Sequence, residues 1–94
     1  MTAITQNENR WDVAGDIEMD NANALLNISK ALMLADHAVV DFAKAAEVDT
    51  SAVSLILEWQ RRATAESKQI SFVNLPKSLT SLIALYGVAD LISY

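Results

Sequence analysis

Residues 37–57 read HAVVDFAKAAEVDTSAVSLIL, and this stretch decides the fold. His37 to Ala43 is a short β-branched and aromatic run with one acid, Asp41, inside it. A run of that kind predicts a buried central strand. Ala45 to Asp49 then reads as a connection. From Thr50 or Ser51 to Ser67 the apolar spacing turns helical. Val53, Ile56, Leu57 and Gln60 fall on one helical face, with Glu58, Arg61, Arg62 and Glu66 largely outside it. A buried strand feeding a helix is the unit of an α/β sheet.

The same alternation extends in both directions. Upstream, Arg10 to Ile17 (RWDVAGDI) puts Trp11, Val13 and Ile17 on alternate positions with Asp12 and Asp16 opposite, as a half-buried strand does. Asp20 and Asn21 are suitable N-caps for a helix whose apolar face is Leu25, Ile28 and Leu32, flanked by Leu26 and Ala35. Downstream, Gln69 to Leu75 alternates as a strand, and Pro76 suits the first turn of a helix. Leu79, Leu82, Ile83 and Tyr86 give that helix its face, Gly87 stops it, and Val88 to Ile92 forms a tail that packs back. Residues 1–10 read as a polar arm or an edge strand, and 11–94 as one domain. The predicted order is β(β)-α-β-α-β-α: a mostly parallel or mixed sheet with helices packed on it.

Composition narrows the function. The chain has 94 residues, 52% hydrophobic and 20% charged, with two Gly and one Pro, which argues against disorder. It has no Cys, so disulfides, thiolate zinc sites, iron–sulfur clusters and a Cys nucleophile are excluded. Folding without staples suits a reducing compartment such as the cytoplasm. The N-terminal MTAITQNENRWD has neither the basic nor the apolar region of a secretory signal. The longest apolar segment, Leu79 to Ile92, is broken by Thr80, Ser81, Gly87 and Asp90, so no membrane insertion is expected. Net charge is −5, with −6 in residues 1–50 and +1 in residues 51–94. The seven Lys and Arg are scattered, a poor footprint for nucleic acid or anionic lipid.

Four features bear on chemistry. Val48-Asp49-Thr50-Ser51 places two hydroxyls at a helix N-terminus, where free N–H groups and the helix dipole favour negative charge. A phosphate on Thr50 or Ser51 is stabilised there; the plainer reading is a helix cap. Asp12, Asp16, Glu18 and Asp20 lack the Gly and Glu spacing of a calcium loop and read as one wet strand face. The lone His37 cannot build a multi-histidine metal site. Asp41 inside an apolar strand requires a partner for its carboxylate, and backbone N–H groups or hydroxyls at a neighbouring loop fit better than catalysis. Phosphate-cradling Gly motifs and nucleophile elbows are absent, so neither an enzyme nor a cofactor is indicated.

Val39-Val40-Asp41-Phe42-Ala43, then Val48-Asp49-Thr50-Ser51 opening the helix Ala52 to Leu57, resembles the central block of STAS domains. Gly15-Asp16-Ile17-Glu18, with Ala24 and Leu25 in the next helix, is similar to the family's Gly-Glu-Leu-Asp segment. Asn74-Leu75-Pro76 and Leu82 to Val88 resemble the closing helix of the MlaB branch. Ala52 and Ser51 depart from the glycines common there, and Glu18 from the common Asp. The resemblance implies a four- to five-stranded mixed sheet with helices on one side and a non-enzymatic binding role. For the MlaB branch it implies a cytoplasmic subunit, peripheral to the inner membrane, that docks on the ATPase of a phospholipid-transport ABC complex maintaining outer-membrane lipid asymmetry. Thr50 matches that branch's partner-contact residue. It also matches the phosphorylated Ser of anti-sigma factor antagonists, whose partner is an anti-sigma kinase. The expected partner surface is Asp49, Thr50, Ser51, Ala52, Leu55 and Trp59, with Trp59 an anchor if exposed.

Overall fold

The structure is a computed structural model and describes residues 3–94. Its elements are β1 (Ala3–Asn7), β2 (Arg10–Ile17), α1 (Met19–Lys30), β3 (His37–Val48), α2 (Thr50–Ala65), β4 (Gln69–Val73), α3 (Lys77–Leu85) and a 3-10 turn (Ala89–Leu91). Sheet order is β1-β2-β3-β4, with β1 antiparallel to β2 and the other pairs parallel. Within the predicted arm, Ala3–Asn7 is therefore an edge strand; Met1 and Thr2 lie outside the described residues. Strands β2, β3 and β4 follow one another across the sheet, so crossovers of the same hand lay their helices on the same face. Trp11, Val13, Ile17, Ala38, Val40, Phe42, Ile70 and Phe72 are buried on that face. The mixed α/β sheet expected from the residue pattern is thus the one found.

The central strand is longer than its apolar run. β3 continues through Val48 because β2 supplies ladder partners as far as Ile17. Asp12 pairs with Asp41 but Ala14 with Lys44, and Gly15 pairs with Ala45 but Ile17 with Val48. Each interval holds one extra residue on β3, so the strand carries two β-bulges. Carboxylates meet N–H groups at both: Ala43 N–H donates to Asp41 Oδ1 at 2.7 Å, and Glu47 N–H donates to Asp16 Oδ1 at 3.1 Å. Buried backbone donors must be paired, and here acids in the strands pair them. Asp41, only 3% exposed, also meets Arg10 at 2.6 Å and accepts from the Asn74 amide at 3.1 Å.

Two helix faces are turned relative to the predicted ones. α1 starts at Met19 after an N-cap at Glu18, not at Asp20 or Asn21. The Asn21 side chain turns back, accepting from Glu18 N–H at 2.9 Å and donating to the Asp16 carbonyl at 2.9 Å. Its inward residues are Leu25 and Ser29, while Ile28 is 43% exposed. On α2 the inward residues are Ala52, Val53, Leu55, Ile56, Trp59 and Ala63. Leu57 and Gln60, predicted to face the core, are only half-buried. A large indole outweighs a leucine in apolar area, so the helix turns Trp59 inward.

Trp59 lies in the middle of the core. Its ring meets Trp11 edge-on at 5.7 Å and tilts over Phe42 at 6.5 Å, and Phe42 reaches Phe72 at 6.4 Å. The indole N–H donates to the Ser29 hydroxyl at 2.8 Å, and that hydroxyl donates to the Leu26 carbonyl at 2.7 Å. Arg62 donates to the carbonyls of Ser29 and Leu32 at 2.9 and 2.8 Å, and its guanidinium lies 5.8 Å from the centre of the Trp11 ring. A cation from α2 thus closes the Ser29 carbonyl in the last turn of α1 and the Leu32 carbonyl just beyond it. α3 ends as expected, with Gly87 at φ +66 and the tail folded back through the buried Ile92. Phe72 N–H donates to the Ser93 carbonyl at 2.9 Å, partly covering the β4 edge. Among the described residues every buried side-chain nitrogen and oxygen has a partner.

Ser29→Ala strands the Trp59 N–H in the core and is expected to cost about 1–3 kcal/mol of unfolding free energy. Ser29→Ala combined with Trp59→Phe should cost less than the sum of the single changes. A double-mutant cycle by urea unfolding checks the coupling, and strict additivity would contradict it.

Candidate functional site

The turn after β3 brings two helix starts together. Asp49 caps α2: its Oδ1 accepts from Ser51 N–H at 2.8 Å. Its Oδ2 accepts from Met19 N–H at 3.0 Å, at the first residue of α1. Asp49 N–H itself donates to the Ile17 carbonyl at 3.1 Å, fixing the turn to the end of β2. One carboxylate therefore satisfies donors from two helices whose dipoles both favour negative charge there. Thr50, the first residue of α2, is exposed, and Ser51 is half-buried.

Of the six predicted partner-surface residues, Asp49, Thr50 and Ser51 lie together at this turn. Ala52, Leu55 and Trp59 instead point into the core, and Trp59 is 1% exposed. The condition for Trp59 to anchor a partner is not met. Leu55 touches the surface only as the floor of a groove between α1 and α2, about 360 Å³, lined with Met19, Ala22, Leu26, Ser51 and Glu58. A second groove, about 510 Å³, lies on the other side of α2 between Met19, Thr50, Ser54, Leu57, Tyr86 and Val88. Met19, Ser51 and Ser54 border both. Met19 is 76% exposed and Tyr86 55%, so the grooves carry uncovered apolar surface.

Sequence reading missed Met19, Ser54 and Val88 here, and placed Leu57 and Tyr86 on core faces. The available signal was Ser51 and Ser54, small residues three apart on one side of α2. His37 opens β3 and Asp41 lies on the sheet face away from the helices, so neither belongs to this site. Among the described residues no group of His, Asp and Glu is placed to hold a metal ion. No helix among them is long and apolar enough to cross a membrane.

The electrostatics are one-sided. Burial pushes the Glu18 carboxyl above its ordinary value, and repulsion from Asp16, Asp20, Asp49 and Glu47 pushes it further. Burial also pushes Asp49 up, but the N–H groups of Ser51 and Met19 and the Ser51 hydroxyl outweigh it, leaving Asp49 below its ordinary value. At Asp41 burial is likewise outweighed, by the Ala43 N–H, the Asn74 amide, Arg10 and Lys44.

This sheet, with its capped strand-to-helix turn, defines an STAS domain. The chain belongs to the family described as "Mlab, STAS domain", whose profile matches residues 1–93. Among solved structures, the anti-sigma factor antagonist SpoIIAA in its unphosphorylated form is similar, at a TM-score of 0.72 and 14% identity, over 98% of this chain and 85% of that one. Two structures of Mglu are also similar. One has a TM-score of 0.62 and 20% identity over 80% of this chain and 20% of that one. The other, of the native form, has 0.61 and 17% over 78% and 22%. The chain thus spans about a fifth of the length of Mglu. At these identities the likenesses concern the fold. No curated protein matches.

Asp49→Ala removes the acceptor for two helix starts and is expected to cost about 1–2 kcal/mol by denaturant unfolding, more than Asp49→Asn. The acid limb has a definite sign. Asp41 and Asp49 titrate below 3.8 in the fold, so their stabilisation is present above that value and is lost as pH falls through the folded values. Glu18 acts oppositely: titrating above 4.5, its charged form opposes folding at neutral pH. Glu18→Gln should therefore raise the melting temperature at pH 7, and the difference should vanish once pH is well below 4.5. Melting curves across pH check both.

Proposed function

We propose that this chain is a non-enzymatic STAS subunit that binds and stabilises the ATPase of a bacterial phospholipid-transport ABC complex. The observation that carries this reading is the exposed Thr50, set on the first turn of α2 beside a groove with uncovered apolar residues. Membership of the family described as "Mlab, STAS domain" supports the choice of partner. The contact surface in this reading is Asp49, Thr50 and Ser51 with Met19, Ser54, Leu57 and Tyr86. The buried Ala52, Leu55 and Trp59 shape it from beneath. The subunit sits on the cytoplasmic side of the inner membrane, held there by its partner.

A second reading is a signalling module switched by phosphorylation of Thr50 or Ser51 by an anti-sigma kinase, and the likeness to SpoIIAA favours it. The local charge disfavours it. A phosphate at Thr50 adds up to about two negative charges beside Asp49, whose carboxylate already takes the Ser51 and Met19 N–H groups.

Affinity purification of the tagged protein from its native cells tests both. An ABC ATPase and permease at near-stoichiometric yield are expected with the wild type. Thr50→Arg should reduce them at least about tenfold while leaving the melting temperature unchanged, because the side chain is exposed. Recovery of a kinase or sigma regulator instead, with about 80 Da added to the protein, would establish the second reading.

A further inference from the structure

The larger groove beside α2 is apolar along Leu57, Tyr86 and Val88, and Met19 also lines it. Met19 follows Glu18 and is bonded through its N–H to Asp49. Around Met19 the chain gathers carboxylates by its own hydrogen bonds. Asp16 accepts from Glu47 N–H, and Asp49 accepts from Ser51 and Met19 N–H groups. The Glu18 carboxyl lies close enough to Asp16, Asp20, Glu47 and Asp49 to be repelled by all four. Four of the chain's cations are engaged elsewhere: Arg10 with Asp12 and Asp41, Arg61 with Glu58, and Arg62 and Lys68 with Glu66. An apolar trough thus borders a negative cluster at Met19. The ridge between the two grooves carries Ser51 and Ser54, whose small side chains let a backbone come near.

We propose that this groove is the seat of a cationic amphipathic helix of the protein partner. Its apolar side chains enter between Leu57, Tyr86 and Val88, and its Lys or Arg side chains reach the carboxylates around Met19. Helix-in-groove recognition supplies the apolar anchors. Complementary charge supplies orientation and rejects acidic segments. A net-acidic or membrane-like partner would meet like charge at the same cluster. The inference rests on the docking surface proposed above and adds the chemistry of what docks.

Two acetylated synthetic helices test it. They share one Leu/Ala face and carry either Lys or Glu on the other. Each is titrated into the full chain while backbone amide shifts are followed. The Lys helix is expected to bind and to move the amides of Met19, Ser54, Leu57 and Tyr86. The Glu helix should bind at least about tenfold more weakly. Asp20→Asn with Glu47→Gln, both exposed positions, should weaken the Lys helix about three- to tenfold and flatten its salt dependence, with the melting temperature as the check on folding. Tyr86→Asp should weaken both helices. Equal affinity for the two helices, both lost in Tyr86→Asp, would overturn the cationic partner and leave the docking surface standing. Shifts on the open sheet face, or no binding near about 1 mM, would also overturn it. Failure of the ATPase reading shows separately, as purification that yields no transporter component.

Discussion

Everything in this domain is arranged around the indole of Trp59. Its ring is fixed edge-on by Trp11 from β2 and flanked by Phe42 from β3, and its N–H is spoken for by Ser29 from α1. Three elements thus reach one side chain of a fourth. An indole N–H in a dry core requires an acceptor, and Ser29 is the buried hydroxyl that supplies it. The same need turns α1, bringing Ser29 inward at the expense of Ile28. Arg62, one turn further along α2, then closes the carbonyls of Ser29 and Leu32 over Trp11.

That arrangement explains what could be read in advance. The alternation of strands and helices was legible because its signals are periodic and local. Trp11, Val13 and Ile17 alternate, Pro76 precedes a helix and Gly87 follows one. Helix phase was less legible. The faces of α1 and α2 are set by one aromatic and one hydroxyl whose preference appears only when both are in the same core. The length of β3 was hidden for a different reason. Ala43 to Glu47 has no apolar pattern because the bulges break the alternation, and its pairing depends on acids at Asp41 and Asp16. At the site, the cap at Asp49 was readable from residue type. The grooves were not, since their walls come from Met19, Leu57 and Tyr86, far apart along the chain.

The fold and the site are also linked through charge. Asp49 is low in pKa because it binds helix donors, whereas Glu18 is high because it is partly buried and faces four acids. The same corner therefore holds a carboxylate that stabilises the fold and one that strains it.

The bulges in β3 carry an evolutionary consequence. Ala43 and Ala46 are exposed, so their side chains are nearly free to vary. Their number is not. Each bulge sets one extra residue against β2 without changing the face that later residues take, and β3 must deliver Asp49 to its two hydrogen bonds with the helix starts. Losing one extra residue would restore one-to-one pairing with β2 but remove the turned N–H that a strand carboxylate now accepts, Ala43 N–H at Asp41 or Glu47 N–H at Asp16. A single deletion here would therefore keep the face of Asp49 yet cost a strand carboxylate its bulge donor, in a segment whose exposure would otherwise mark it as tolerant of insertion and deletion.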